Sequence, residues 1–99
     1  MTMKRLTHSE MDAVKAAFSN WTISGDSSVL SREFIFHDFD EAFAFMVRIS
    51  ALSKSMDHHP DWSNSYNKVV IALTTHSVGG ITTLDLQMAK AIDEVFHAP

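Results

Sequence analysis

Apolar residues near the start of the chain recur at helical spacing and predict a first helix at about residues 8–19. The segment Thr7-His8-Ser9-Glu10, just before them, has the pattern of a capping box, in which the first and fourth side chains each bind a backbone amide. The apolar positions of this helix are Met11, Val14, Ala17 and Phe18.

Alternating polar and apolar residues then predict two short strands. Trp21-Thr22-Ile23 is the first, the turn cluster Gly25-Asp26-Ser27-Ser28 follows it, and the second runs from Val29 to Phe36. In the second strand one face carries Leu30, Phe34 and Phe36. The two strands therefore form a plausible hairpin.

The longest apolar pattern predicts a middle helix of about seventeen residues. Asp38-Phe39-Asp40-Glu41 reads as a second capping box, and Pro60 forces the helix to end. The apolar stripe consists of Phe39, Ala42, Phe43, Met46, Ile49 and Leu52, widened by Phe45 and Met56. We expect the aromatic residues Phe39, Phe43 and Phe45 to lie in the core, with no cofactor role.

Two strands and a last helix are predicted after Pro60. The strands run from Trp62 to Tyr66 and from Val69 to His76, around a turn near Asn67-Lys68. One face of the later strand carries Val69, Ile71 and Leu73. Gly79-Gly80 break that strand, and Thr82 can cap a helix whose stripe is Leu84, Met88, Ala91, Ile92 and Val95.

The resulting order, α-β-β-α-β-β-α, predicts an α+β fold. Hairpins joined by helices favour a four-stranded antiparallel sheet with its helices packed on one face. The sequence contains no repeat, low-complexity tract or linker, so we expect a single domain over residues 1–99.

Composition excludes several classes of protein. The 99 residues are 45% apolar, enough for one shallow core, which makes self-association reasonable. The absence of cysteine excludes disulfides and thiolate chemistry. A net charge of −4, with eight scattered Lys and Arg residues, argues against direct nucleic-acid binding. The longest apolar run, Ala42 to Val47, is far shorter than the ~20 residues of a membrane span. We expect a soluble, cytoplasmic protein.

The candidate chemistry lies in three histidines. His58 and His59 are adjacent at the predicted end of the middle helix, and His76 ends a predicted strand. Imidazole, with an ordinary pKa of about 6.5, donates and accepts protons near neutrality. The negative end of a helix dipole favours a positive charge, so His58 or His59 is suited to act as a general acid. Nearby Asp57, Asp61 and Asp85 could orient imidazoles or bind a ligand.

Other interpretations of these residues remain open. Histidine is a frequent helix cap, Asp85 can complete a capping box with Thr82, and Trp62 can be an anchor on the sheet. Metal binding is the competing chemistry. Adjacent helical residues point about 100° apart, so His58 and His59 cannot easily ligate one ion, and we expect no metal. The remaining histidines, which we expect at the surface, are His8, His37 and His97.

Motifs spread between Trp21 and Phe96 match one family. They are Phe34-x-Phe36-x-Asp38-Phe39, Ala42-Phe43-x-Phe45-Met46, His58-His59-Pro60-Asp61-Trp62, Tyr66-Asn67-Lys68-Val69, Leu73-Thr74-Thr75-His76 and Gly80-Ile81-Thr82. In these motifs the chain resembles the pterin-4a-carbinolamine dehydratases, whose animal members also act as dimerisation cofactors of a homeodomain transcription factor.

The resemblance implies a hydro-lyase that dehydrates 4a-hydroxytetrahydrobiopterin (pterin-4a-carbinolamine) to quinonoid dihydropterin, in tetrahydrobiopterin recycling. An acid protonates the leaving 4a-oxygen while a base removes the N5 proton, and no cofactor is required. The family's catalytic histidines fall on His58, His59 and His76. Its substrate-binding positions fall on Asp57, Pro60, Trp62 and Asp85. Our hypothesis is that the helix-end pair supplies the acid and His76 the base.

The resemblance also has departures and implications for partners. Lys54 stands where many members carry Glu, which reverses the charge of one possible ligand contact. Asn20 replaces a usual Gly, and Ser53 and Ser55 are more polar than is typical. Family members form homodimers with a continuous sheet, or homotetramers packed through helices. An alternative function is an oligomeric interaction protein or transcriptional coactivator that stabilises a partner's dimer, with a transcription-factor partner only in an animal.

Overall fold

Three helices and a four-stranded antiparallel sheet make up the structure, a computed structural model that describes residues 4–98. In chain order the elements are α1 (His8–Ala17), β1 (Thr22–Ile23), β2 (Leu30–Ile35), α2 (Phe39–Met56), β3 (Asp61–Ser65), β4 (Lys68–Leu73) and α3 (Thr83–His97). A short 3-10 turn, His76–Val78, lies between β4 and α3. The predicted α+β order is confirmed.

The sheet has the strand order β1-β2-β4-β3, so strands from the two hairpins meet at its centre. In the register of the central pair, Leu30 lies opposite Leu73 and Phe34 opposite Val69. Because side chains alternate along a strand, these residues face the helices together with Ile71. All five are at most 1% exposed, which confirms the predicted apolar face of β4.

The helices cover this face of the sheet with aromatic and aliphatic side chains. The ring of Phe34 lies 5.0 Å from that of Phe45 on α2 and 5.0 Å from that of Phe96 on α3. From α3 the core receives Met88, Ala89 and Ile92, all fully buried. The predicted stripe of α3 is therefore shifted: Ala89 joins the core, whereas Leu84, Ala91 and Val95 are only partly buried.

Predicted element boundaries differ from the structure at α1, β1 and β2, and β2 covers Leu30–Ile35 where Val29 to Phe36 was predicted. Helix α1 ends at Ala17, two residues early, and Trp21 lies outside β1. The Trp21 ring is 6% exposed and belongs to the core, and its Nε1 donates to Asp93 of α3 at 3.0 Å. Tertiary packing rather than strand pairing thus fixes this residue.

Helix α2 begins with half of the predicted capping box. The Asp38 carboxylate accepts a hydrogen bond from the Glu41 amide at 2.9 Å. The Glu41 carboxylate, however, accepts from the His37 amide at 2.9 Å, one residue before the expected donor. His37 remains exposed, as do His8 and His97.

The expectation that Phe39 and Phe43 belong to the core is wrong. Phe39 is 42% exposed and Phe43 is 52% exposed, and only Phe45 of the three aromatic residues is buried. Val47, one turn after Phe43, is 54% exposed. These residues are four positions apart, so they form one apolar outer face of α2, because such side chains lie side by side on a helix. We call Phe39, Phe43 and Val47 the outer face of α2.

Strand β4 is shorter than predicted. It ends at Leu73, and His76 begins the 3-10 turn instead of ending the strand. Its hairpin with β3 is displaced by one residue, since β3 covers Asp61–Ser65 and the turn consists of residues 66–67. Within residues 4–98, no helix combines the length and apolar character needed to cross a bilayer.

Candidate active site

The end of α2 positions the two adjacent histidines. Asp57 adopts a left-handed conformation, with φ of 49° and ψ of 43°, and its amide closes on the carbonyls of Lys54 and Ser53. The His58 amide also donates to the Ser53 carbonyl, at 3.1 Å. The helix therefore terminates before Pro60, and the chain turns out of it with His58 and His59 as the next residues.

A tight turn after β4 positions the third histidine. The Thr75 amide donates to the Gly80 carbonyl at 2.9 Å, which closes a small loop around the 3-10 turn. Gly79 has a φ of 66°, a region that glycine enters without the steric cost of a side chain. The closed loop holds His76 opposite the end of α2.

These two segments face each other across an open hollow of about 350 Å³. The residues lining it are Asp57, His58, His59, Thr74, Thr75, His76, Ser77 and Leu84. Three imidazoles from positions far apart in the chain therefore border one cavity. Its volume lies at the lower end of the range of small-molecule sites, roughly 300–1,000 Å³.

A larger hollow, of about 480 Å³, lies between the C-terminal parts of α1 and α3. It is lined by Ala17, Phe18, Lys90, Asp93, Glu94 and His97. Asp93 is already engaged there by Arg32, at 2.7 Å, and by Trp21. The smaller hollow is the candidate active site because it brings together three imidazoles, whereas the larger one contains a single histidine.

His58 is the most enclosed of the three histidines. Its side chain is 10% exposed, and its Nε2 lies 2.5 Å from Oδ1 of Asp85, which is completely buried. The other carboxylate oxygen of Asp85 accepts hydrogen bonds from the Thr75 hydroxyl and the Thr82 amide, both at 2.9 Å. The His58 ring is therefore tied to the protein interior.

His59 and His76 are exposed at the surface of the hollow. The His76 side chain is 76% exposed, and its Nε2 lies 3.5 Å from Oδ2 of Asp61, which is also exposed. These two rings can exchange protons with water directly. The site thus combines one anchored imidazole with two solvated ones.

The predicted substrate-binding residues take different positions in the structure. Asp57 lines the hollow, but Pro60 and Trp62 do not. Trp62 is half-buried and packs against the hydrophobic core, as its alternative interpretation as a sheet anchor predicted. Asp85 lies beneath the hollow with both oxygens bound within the protein, a position suited to supporting His58 rather than contacting a ligand.

Four residues of the hollow were not predicted from the sequence: Thr74, Thr75, Ser77 and Leu84. Thr75 is 6% exposed, although it is polar and lies outside any strand. The signal available in the sequence was the position of Thr75 in a threonine pair directly before His76. A hydroxyl that is buried beside a functional residue requires a hydrogen-bond partner there.

No group of three or more His, Cys, Asp or Glu side chains within residues 4–98 is arranged to hold a metal ion. The buried His58–Asp85 pair has donors from threonine and backbone around it instead. The arrangement is suited to proton transfer by side chains.

Comparisons with known proteins agree with this fold. The family model described as pterin 4 alpha carbinolamine dehydratase matches residues 4–95. This range includes α1, which precedes the segment that carries the sequence motifs. The chain belongs to this family.

Individual relatives cover almost the whole chain. A protein of Mesorhizobium japonicum, provisionally named a pterin-4-alpha-carbinolamine dehydratase, is 42% identical over 97% of this chain and 98% of its own. One from Rhodospirillum rubrum with the same name is 47% identical over 92% and 95%. The crystal structure of a transcriptional coactivator/pterin dehydratase from Brucella melitensis is 39% identical, with a TM-score of 0.88 over 93% of this chain and 98% of that one.

Proposed function

We propose that this protein dehydrates a 4a-hydroxytetrahydropterin to the quinonoid dihydropterin, as a hydro-lyase of tetrahydrobiopterin recycling. The observation that carries the proposal is the convergence of His58, His59 and His76 on one hollow. Membership of the pterin-4a-carbinolamine dehydratase family supports it.

The reaction requires two proton transfers and no change of oxidation state. The C4a–oxygen bond breaks and the hydroxyl leaves as water after it receives a proton. A base removes the proton from N5, and the electrons of the N5–H bond form the N5–C4a double bond. One acid and one base therefore suffice, and each positioned group typically contributes about 10²–10⁴-fold to the rate.

The two sides of the hollow suit these two tasks. In our proposal His58 or His59, at the end of α2, protonates the leaving oxygen, while His76, on the opposite loop, accepts the N5 proton. Asp57 lines the hollow on the α2 side and is available to bind donor groups of the pterin ring. The exposure of His59 and His76 allows each to return to its starting protonation state through water.

A dehydration assay on chemically prepared 4a-hydroxytetrahydrobiopterin tests the proposal. We expect the wild type to accelerate water loss over buffer, and His59→Ala and His76→Ala each to reduce kcat by about 10²-fold or more. His8→Ala is the matched control, because His8 is also exposed but lies on α1 outside the hollow. A folded wild type that gives no acceleration would refute the enzymatic function.

A second candidate function is that of an oligomeric interaction protein, favoured by the exposed outer face of α2. Three large apolar side chains in a row on a surface helix are a common feature of association surfaces. The Brucella melitensis relative is described as a transcriptional coactivator as well as a pterin dehydratase. In our proposal this face mediates assembly into a homodimer or homotetramer, and the dehydratase activity and self-association coexist.

A further inference from the structure

We infer that Asp85, held by Thr75 and Thr82, is a positioning residue that fixes the ring and the tautomer of His58. In this arrangement the proton of neutral His58 sits on Nε2, and Nδ1 is the nitrogen that exchanges a proton in the hollow. The catalytic consequence rests on the proposed function, whereas the tautomer is a property of the folded protein alone.

The donors around the carboxylate determine this tautomer. Asp85 is 0% exposed, and a buried carboxylate is tolerated only when its oxygens are hydrogen-bonded. Oδ2 is occupied by the Thr75 hydroxyl and the Thr82 amide, while Oδ1 faces His58 Nε2 at 2.5 Å. In its ionised form this carboxylate only accepts hydrogen bonds, and Nε2 is then the donor.

The two threonine hydroxyls form a directed chain behind the carboxylate. The single hydroxyl proton of Thr75 is donated to Asp85, so in the 2.8 Å contact between the hydroxyls Thr82 must donate to Thr75. The Thr82 hydroxyl in turn accepts from the Leu84 amide at 3.3 Å, at the start of α3. Each of the two hydroxyls donates one hydrogen bond and accepts one, so neither can rotate without breaking a hydrogen bond.

This series of hydrogen bonds links the two segments of the site that carry histidines. Thr75 directly precedes His76, and Asp85 binds His58 across 27 positions of sequence. The carboxylate therefore fixes the α2 end and the loop after β4 relative to each other. Separation between acid and base matters, because a misplacement of about 1 Å can cost roughly 10²-fold in rate.

Helix capping alone does not explain the arrangement. Asp85 and Thr82 do form a capping box at α3, as the sequence predicts. Thr7 and Glu10 form the same box at α1, with both side chains exposed. Capping thus needs neither a fully buried carboxylate nor a histidine partner, and α3 has both.

Nitrogen-15 NMR of the histidine rings tests the tautomer directly. At a pH high enough that the nitrogen-15 shifts of His58 no longer change, where its ring is neutral, we expect wild-type His58 to carry its proton on Nε2. The backbone amide of Thr82 can only donate a hydrogen bond. In Asp85→Asn it therefore requires the oxygen of the substituted side chain to face it, and the side-chain NH₂ group then faces Nε2 of His58. His58 should then carry its proton on Nδ1.

Asp93→Asn is the matched control, since Asp93 is also a carboxylate of α3 with several side-chain donors but lies outside the hollow. We expect the wild-type tautomer of His58 in this variant. A wild-type His58 protonated on Nδ1, or an unchanged tautomer in Asp85→Asn, would overturn the inference even if the enzyme is active.

Kinetics connect the tautomer to the reaction. We expect Asp85→Asn to lower kcat by roughly 10²-fold with a much smaller change in KM, because Asp85 does not contact the substrate. Thr75→Val should shift the same way, and Thr75→Ser, which keeps the hydroxyl, should restore kcat. Equal losses in Thr75→Ser and Thr75→Val would count against the hydroxyl chain.

The two proposals fail separately. A wild type without dehydratase activity but with the Nε2–H tautomer, switched by Asp85→Asn, would refute the function and leave the positioning intact. An active wild type whose kcat is unchanged by Asp85→Asn would refute the positioning role and leave the function intact.

Discussion

Nε2 of His76 lies 3.5 Å from Oδ2 of Asp61 at the edge of the hollow, with both side chains more than two-thirds exposed. His58 and Asp85 form a pair of the same residue types in the interior, 10% and 0% exposed. One site therefore contains two carboxylate–imidazole pairs in opposite environments. Their contributions to stability should differ accordingly.

We expect Asp61→Ala to change the free energy of unfolding by less than about 1 kcal/mol, since exposed ion pairs are screened by water. Asp85→Ala should cost about 3–5 kcal/mol, because it leaves buried donors without an acceptor. Urea denaturation of both variants measures the difference. Comparable losses in the two variants would contradict the assignment of the buried pair as the structural one.

The turn between β1 and β2 contains a carboxyl group with a strongly shifted pKa. Hydrogen bonds from the side chain of Ser28, then Ser24, and from the Ser28 amide lower the pKa of Asp26 from 3.8 to about 2. We expect Ser28→Ala to raise the pKa of Asp26 towards its ordinary value, as measured by carbon-13 NMR titration. Ser31→Ala, in the neighbouring strand, is the control and should leave this pKa unchanged.

The sign of the pH dependence follows from the lowered pKa. The folded state favours the ionised Asp26, so this contribution to stability is complete above the ordinary pKa of 3.8 and is lost as the pH falls through about 2. Between these values the wild type should lose more stability on acidification than the Ser28→Ala variant, because in the variant the folded-state pKa of Asp26 lies closer to its value in the unfolded chain. The turn adjoins the hollow, because Thr74 donates to the Ser28 carbonyl at 2.7 Å.

Substitutions at two glycines distinguish the effect of backbone conformation on stability from the effect of steric contact. An added Cβ at Gly79 or at Gly25 would meet no atom within 4 Å, but only Gly79 has a positive φ, 66°. Gly79→Ala should destabilise the protein by about 1–2 kcal/mol through this conformation, and Gly25→Ala should be nearly neutral. Thermal or urea unfolding of the two variants provides the comparison, and equal effects would exclude the backbone explanation.

In our proposal the outer face of α2 is the surface through which the protein assembles. The rings of Phe39 and Phe43 lie 5.6 Å apart and present a continuous apolar surface. Phe43→Glu should shift the protein to a smaller species in analytical ultracentrifugation, because a charge is costly in an apolar interface. Ala16→Glu places the same charge at an exposed position of α1 and should leave the assembly unchanged. An identical sedimentation profile for wild type and Phe43→Glu would show that this face is not an interface.

Local interactions are what the sequence determined by itself. The Thr7–Glu10 and Thr82–Asp85 capping boxes form as predicted, because their hydrogen bonds connect residues three positions apart. The alternation of Val69, Ile71 and Leu73 fixes the buried face of β4 for the same reason, since side-chain direction along a strand depends only on position. The histidine motifs likewise named three residues that the structure brings to one hollow.

Only the tertiary structure decided which side chains meet. The periodicity of α2 does not distinguish Phe45, which packs on Phe34, from Phe43, which stays exposed, because an apolar residue on a helix is buried only where another element covers it. Nor can sequence spacing show that Asp85, a local cap of α3, also receives His58 from the end of α2. That contact depends on how two helices and a loop pack together, and packing is a property of the whole chain.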